Sequence, residues 1–243
     1  MPSSPPVDAF AAVLFDLDGV LTPTADIHTR AWRTMFDEFL VPRGLAPFTD
    51  DDYLRYVDGK PRFDGVRSFL ASRGITLPEG RADDPPGDGS VAALGNRKND
   101  VFLRILREDG IAPYPGSLRF LDWVEQRGLD VAVVSSSRNA REVLAAAGLA
   151  SRFAVVTDGL VAAEHGIAGK PKPDMFLDAA RRLGVAPADA VVIEDAVSGV
   201  EAGRAGGFGL VVGVDRGAGH DVLREHGADV VVDDLAELIG ERS

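Results

Sequence analysis

Apolar residues fall in two different rhythms along this chain. Ile27, Ala31, Met35 and Phe39 recur every four residues, and Trp32, Phe36 and Leu40 widen the stripe. That spacing is one face of an α-helix, and Thr24 or Asp26 can cap its start. Val66, Phe69 and Leu70 predict a second helix ending near Gly74. Leu94, Val101, Leu103, Ile105 and Leu106 predict another, up to Gly110. Between them, residues 74–90 are dense in Gly, Pro and Asp and read as loop. Residues 22–108 therefore read as helical, with no strand.

The second rhythm consists of short solid apolar runs. One stands alone near the start, Ala11 to Leu14; the others begin after residue 115. Leu129–Val134, Ala154–Val156, Val191–Ile193, Leu210–Val212 and Val230–Val232 read as strands. Helical patterns separate most of them, at residues 115–124, 139–147, 173–183, 197–206 and 222–226. Strand–helix repeats of this size predict a parallel sheet buried on both faces. The fold class expected is α/β: a Rossmann-like parallel sheet with helices on both faces, plus a small all-helical cap inserted after the first strand. The expected divisions are a disordered tail over 1–9, a catalytic core over 10–22 and 109–243, and the cap over 23–108. Open α/β sheets bind ligands at the C-terminal strand ends, so an insert leaving from there reads as a lid.

Composition narrows the chemistry. The 243 residues include 26 Lys and Arg against 38 Asp and Glu, a formal charge of −12. That balance argues against nucleic acid or an anionic membrane as partner. A small phosphate remains possible, because a few local cations and helix N-termini can hold it. The chain has no cysteine, which excludes disulfides, thiolate nucleophiles and cysteine zinc sites. A cytoplasmic location fits that usage. Met1-Pro2-Ser3-Ser4-Pro5-Pro6 lacks a basic start and a long apolar run, so no secretory signal is expected.

Polar groups gather after the apolar runs. Asp16 and Asp18 follow the first strand and are trailed by Gly19. Two carboxylates at 4 Å repel by about 4 kcal/mol at an effective dielectric of ~20, and a metal ion would offset that. Ser135, Ser136, Ser137, Arg138 and Asn139 follow the strand at 129–134, Lys170 lies in the Gly169–Asp174 loop, and Glu194-Asp195 follow 191–193. Phosphoryl transfer uses these types: a carboxylate nucleophile, a second carboxylate as proton carrier, hydroxyl and lysine for the phosphoryl oxygens, and oxygen ligands for Mg²⁺. Each residue also has a plainer reading. The acids can cap helices, Ser135 to Ser137 can be turn residues, and Trp32 in a helical stripe can be packing. The run Asp50-Asp51-Asp52 reads as a solvated helix start.

In this order, Asp16-Leu17-Asp18-Gly19-Val20, Val134-Ser135, Gly169-Lys170-Pro171 and Glu194-Asp195 resemble the four motifs of the haloacid dehalogenase superfamily. Coverage runs from about residue 10 to about 233. Thr24, His28, Ala31 and Trp32, Arg62 after Asp58-Gly59-Lys60-Pro61, and Arg97-Lys98-Asn99-Asp100 resemble its β-phosphoglucomutase-like branch. The branch pattern has a lysine where Asp58 stands, and another where Arg138 stands.

The resemblance implies roles. Asp16 would carry the phosphoryl group and Asp18 would move the proton. Asp16, the Asp18 carbonyl and Asp195, with Glu194 beside them, would hold Mg²⁺. Ser135, Ser136 and Lys170 would bind the transferring phosphate. Thr24, His28, Trp32, Gly59, Arg62, Lys98, Ser137, Arg138 and Asn139 would hold the rest of the substrate. The implied reaction interconverts β-D-glucose 1-phosphate and glucose 6-phosphate, with glucose 1,6-bisphosphate as intermediate and activator. A sugar-phosphate phosphatase and a non-catalytic phosphosugar-binding protein are the alternatives. The expected partner is a small sugar phosphate, with no nucleic acid, no membrane and a monomeric chain. Asp18 counts against a dehalogenase, which would not need it.

Overall fold

The computed structural model describes residues 6–57 and 60–239. In chain order the elements are β1 (Ala12–Phe15), α1 (Thr24–Leu40), α2 (Asp50–Asp52), α3 (Arg62–Ser72), α4 (Val91–Asp109), α5 (Pro115–Gln126) and β2 (Asp130–Val134). They continue as α6 (Ala140–Ala146), β3 (Val155–Thr157), α7 (Gly159–His165), α8 (Asp174–Leu183), β4 (Ala190–Glu194), α9 (Val197–Ala205), β5 (Leu210–Val214), α10 (His220–Glu225) and β6 (Val230–Val232). The chain divides into two compact units. One runs up to Pro23 and resumes at Ile111; the other is Thr24–Gly110.

The first unit is a six-stranded sheet in the order β3-β2-β1-β4-β5-β6, and every pairing is parallel. This is the doubly wound order, with its direction reversing beside β1. Strand β1 is central and buried at all four positions, as its unbroken Ala-Val-Leu-Phe run requires in a sheet covered on both sides. On one face Leu14, Ala132, Val192 and Val211 pack with Met175, Phe176 and Val200. Phe15 meets Phe120 and Phe153 edge to face, each at 6.0 Å between centroids.

The second unit is helical, as its 3.6-residue pattern predicts. α1 buries Ile27, Ala31, Trp32, Met35, Phe36, Phe39 and Leu40. Phe36 stacks between Trp32 and Phe48 and touches Phe69 of α3 at 4.1 Å. Ser90 caps α4 by accepting from the Ala93 N–H. A π-helical turn, Tyr53–Val57, follows α2.

Some expectations change. Residues 1–5 lie outside the described residues, but Val7–Ala9 form a 3-10 turn with Val7 buried, so the expected tail over 1–9 is too long. Asp52 is not solvated: it is buried in a capping box with Thr49 and accepts from Arg73 at 2.7 Å. Burial would raise its pKa, but the Thr49 and Arg73 hydrogen bonds more than offset this and lower it. α7 is an additional helix, too short for a clear apolar period. Asp158 caps it through the N–H groups of Leu160 and Val161, and Gly166 ends it in the left-handed conformation.

Candidate active site

The register of the sheet brings the acids together. Phe15 pairs with Val133 on one side and Ile193 on the other. The next residues along these strands, Asp16, Val134 and Glu194, therefore leave the sheet on one line. The Asp16 N–H donates to the Ile193 carbonyl at 2.9 Å, so Asp16 still follows the sheet's path as its side chain reaches the strand ends.

Lys170 enters this acidic corner from the loop before α8, where the Lys170–Pro171 peptide is cis. Its ammonium donates to Asp16 Oδ1 at 2.5 Å, to the Val134 carbonyl at 3.0 Å, and to Glu194 Oε1. Only 6% of the Lys170 side chain is exposed, against 9% for Asp16 and 1% for Glu194. Burial alone would lower the lysine pKa, but the two carboxylates more than offset it and hold it well above its ordinary value. Lys170 is therefore a permanent cation.

The acids respond oppositely. Burial pushes Asp16 well above the usual carboxylate range; Lys170 pulls it down, while Glu194, Asp18 and Asp195 push it up. Burial, helped by Glu194, raises Asp195 to about 7. Glu194 has both oxygens engaged: Oε1 takes Lys170, and Oε2 takes the N–H groups of Asp195 and Ala196 at 3.1 and 3.2 Å. It anchors the lysine and the turn after β4. Gly199 of α9 makes room for it, because a Cβ there would overlap the Glu194 carboxylate.

Asp18 lies two residues on. Ser135 Oγ donates to Asp18 Oδ2 at 3.1 Å and accepts the Ser137 N–H at 3.1 Å. Ser137 Oγ in turn accepts the Asn139 N–H at 3.1 Å, and the Gly159 N–H donates to the Ser137 carbonyl at 3.0 Å. The 135–139 loop is thus braced internally and from the start of α7. Ser135 is buried, whereas Ser136 and Arg138 are exposed and Ser137 and Asn139 half-buried.

These residues fit a hard divalent cation. Asp16, Glu194 and Asp195 offer carboxylate oxygens within 4.8 Å of one another. Lys170 supplies one positive charge against these acids, so the ionised corner retains an excess negative charge. An all-oxygen donor set suits Mg²⁺. Gly19, at φ +89°, packs where any Cβ would overlap the Asp195 carboxylate, so the two acid-bearing loops approach as only glycine allows.

The helical unit has its own polar cluster. Lys98 is buried on α4, and its ammonium lies 2.6 Å from His28 Nδ1. It also sits 5.2 Å from the Trp32 ring centroid and 5.1 Å from that of Phe102, on which His28 stacks at 4.4 Å. Burial, then the Lys98 charge, holds His28 well below its usual pKa. With Nδ1 accepting from the ammonium, the neutral ring carries its proton on Nε2. Thr24 is buried at the start of α1, and Arg62 donates to Asn96 Oδ1 at 3.0 Å. Gly59 lies outside the described residues.

Comparison with known proteins agrees with this geometry. Residues 10–207 match the family model described as haloacid dehalogenase-like hydrolase. A β-phosphoglucomutase of Mycobacterium tuberculosis is 55% identical over 238 residues, covering 94% of this chain and 91% of that one. A β-phosphoglucomutase of Bacillus subtilis is 33% identical over 230 residues, covering 93% and 91%. The solved structure of a Clostridium difficile β-phosphoglucomutase superposes with a TM-score of 0.70 at 25% identity, covering 94% and 93%. The likeness extends through the sheet and the inserted helices alike, and the chain belongs to the haloacid dehalogenase-like hydrolase family.

Proposed function

We propose that this chain is a Mg²⁺-dependent sugar phosphomutase that interconverts β-D-glucose 1-phosphate and glucose 6-phosphate. The observation that carries the reading is Asp16, a buried carboxylate at the end of a central strand, held by Lys170 at 2.5 Å beside Asp195 and Glu194. A carboxylate kept there by a permanent cation can act as a nucleophile without leaving the sheet. The 55% identity to a β-phosphoglucomutase supports the substrate class.

An Asp16 oxygen attacks phosphorus, and the bond from phosphorus to the sugar oxygen breaks. Asp18, in its acid form, gives its proton to that oxygen. In the other half, the free hydroxyl of a sugar monophosphate passes its proton to Asp18 and attacks the aspartyl-phosphate, which frees Asp16 and forms glucose 1,6-bisphosphate; the bisphosphate then gives its other phosphoryl group to Asp16 by the first step. Lys170 and Ser135 donate to the phosphoryl oxygens as charge spreads over them, and Ser136 adds a donor from the same loop. Mg²⁺, when held by Asp16, Asp195 and the Asp18 carbonyl, supplies charge neutralisation of the phosphoryl group. The roles of Thr24, His28, Trp32, Gly59, Arg62, Lys98, Ser137, Arg138 and Asn139 in binding the rest of the bisphosphate rest on the resemblance.

The test is a product balance. The protein is incubated with β-glucose 1-phosphate, Mg²⁺ and a trace of glucose 1,6-bisphosphate, and glucose 6-phosphate and free phosphate are measured together. Glucose 6-phosphate without matching phosphate release is expected. Phosphate alone would make the chain a phosphatase, and neither product would leave a binding protein.

A further inference from the structure

Three carbonyls of the loop after Asp18 are gripped from elsewhere in the same unit, and a fourth from within the loop. The Gly19 carbonyl accepts from Arg216 Nε at 2.8 Å. The Val20 carbonyl accepts from Ser117 Oγ at 2.6 Å, and the Leu21 carbonyl from the Tyr114 N–H at 2.9 Å. The Thr22 carbonyl accepts from the Gly19 N–H at 2.8 Å. Of these donors only Arg216 is a charged side chain, and it comes from the end of β5, 197 residues further along.

Arg216 is itself held. Nη1 donates to the Asp233 carbonyl at 3.0 Å, and the guanidinium carbon lies 4.0 Å from the Tyr114 ring centroid. Asp215 Oδ1 accepts the N–H groups of Gly217 and Gly219 at 2.8 and 3.0 Å, which closes the loop next to Arg216. His220 Nε2 lies 2.7 Å from Asp233 Oδ1 and ties the far side. Yet Arg216 Nη2 is buried with no hydrogen-bond partner among the described residues.

We infer that Arg216 is a positioning residue for the proton carrier Asp18, acting through the Gly19 carbonyl. The physical reason lies in glycine. At φ +89° Gly19 has no side chain to restrain its peptides, so the peptide after it turns easily unless something holds it. A charge-assisted hydrogen bond from Nε does so, while the Thr22 carbonyl holds the Gly19 N–H. Asp18 precedes this fixed glycine directly and inherits its orientation. The nucleophile Asp16 is held independently, by β4 and Lys170.

The inference rests on the proposed phosphoryl-transfer chemistry, and two substrates separate the two ideas. With acetyl phosphate, Asp16 bonds to phosphorus while acetate leaves with the bonding electrons and needs no proton. With a sugar phosphate, the leaving oxygen needs the proton from Asp18. Arg216→Ala and Arg216→Lys are expected to lower kcat for the sugar phosphate about 10–100-fold, within what general acid–base catalysis contributes, with KM changed less than about threefold. Labelling of Asp16 by acetyl phosphate should stay within about threefold of the parent protein. In an Asp18→Ala background, Arg216→Ala should cause no further loss, because both changes remove one function. Equal loss with both substrates, an additive loss in the double variant, or no loss at all would overturn the inference. If Arg216→Ala does not fold, Arg216→Lys is read in the same way. Failure of acetyl phosphate to label the unaltered protein, or labelling that survives Asp16→Asn, would instead sink the proposed function.

Discussion

One lysine supplies the cation that opposes the burial of Asp16. Without Lys170, Asp16 and Glu194 would face each other across a desolvated corner with no cation between them, and only the Asp195 and Ala196 N–H groups would remain on Glu194. Removing one partner of a buried ion pair costs about 3–5 kcal/mol, because the remaining charge stays buried. Lys170→Met is therefore expected to lower the unfolding free energy by that order in metal-free urea titrations at pH 8. The loss should shrink as pH falls and the unpaired acids take up protons. Asp16→Asn removes the proposed nucleophile and a like charge together. It should abolish phosphoryl transfer, by at least about 1,000-fold in kcat, while the thermal midpoint stays the same or rises. Substantial turnover in a preparation free of parent enzyme would end the nucleophile assignment.

At the scale of elements, the site depends on how closely α9 and the loop after β1 approach β4. Gly199 lies where a Cβ would overlap the Glu194 carboxylate, and Glu194 holds Lys170. Gly199→Ala improves helix propensity by roughly 1 kcal/mol in the abstract. Here the methyl must displace Glu194, so the ordinary gain is expected to reverse. Activity should fall about tenfold or more, since small misplacements at a reacting centre carry large rate penalties. Steady-state kinetics with circular dichroism would separate this from unfolding. An alanine variant at parental activity would show that Glu194 can move without consequence. In the helical unit, α4 presents Lys98 to His28 from within a wall of aromatic rings, an environment that a sequence motif does not reveal.

The whole molecule couples its acids to pH and metal. Asp195 has a folded pKa of about 7 against an ordinary 3.8, and Asp16 is raised as well. A carboxyl with a raised folded pKa binds more protons folded than unfolded over that window, so stability falls as pH rises through it. Metal-free protein should therefore lose stability between about pH 4 and 7 from this group. A divalent cation reverses the sign by favouring the ionised form and binding only the assembled site. Mg²⁺ is expected to raise the thermal midpoint more at pH 8 than at pH 6, and its binding near pH 7 should release protons. Calorimetry in two buffers of different ionisation enthalpy reads both effects. An equal midpoint shift at both pH values would contradict the linkage.

Much of this protein was determined locally. Solid apolar runs alternating with helical patterns read as strands buried on both faces, and a period of four reads as one buried helix face, so the α/β class and the helical insert were legible before any contact was known. The chemistry-bearing types were legible for a related reason: a carboxylate directly after such a run sits at a strand end, where packing gives it no reason to be. What tertiary structure decided is which groups meet. Asp16 and Lys170 are 154 residues apart and share a hydrogen bond; Arg216 and Gly19 are 197 apart. No local pattern encodes either meeting, because both follow from strand order and register. Nor could the sequence show that both Glu194 oxygens are already engaged, or that Asp52 and Lys98 are buried. Burial, unlike propensity, is a property of everything packed around a residue, and it is burial that sets the charges in this site.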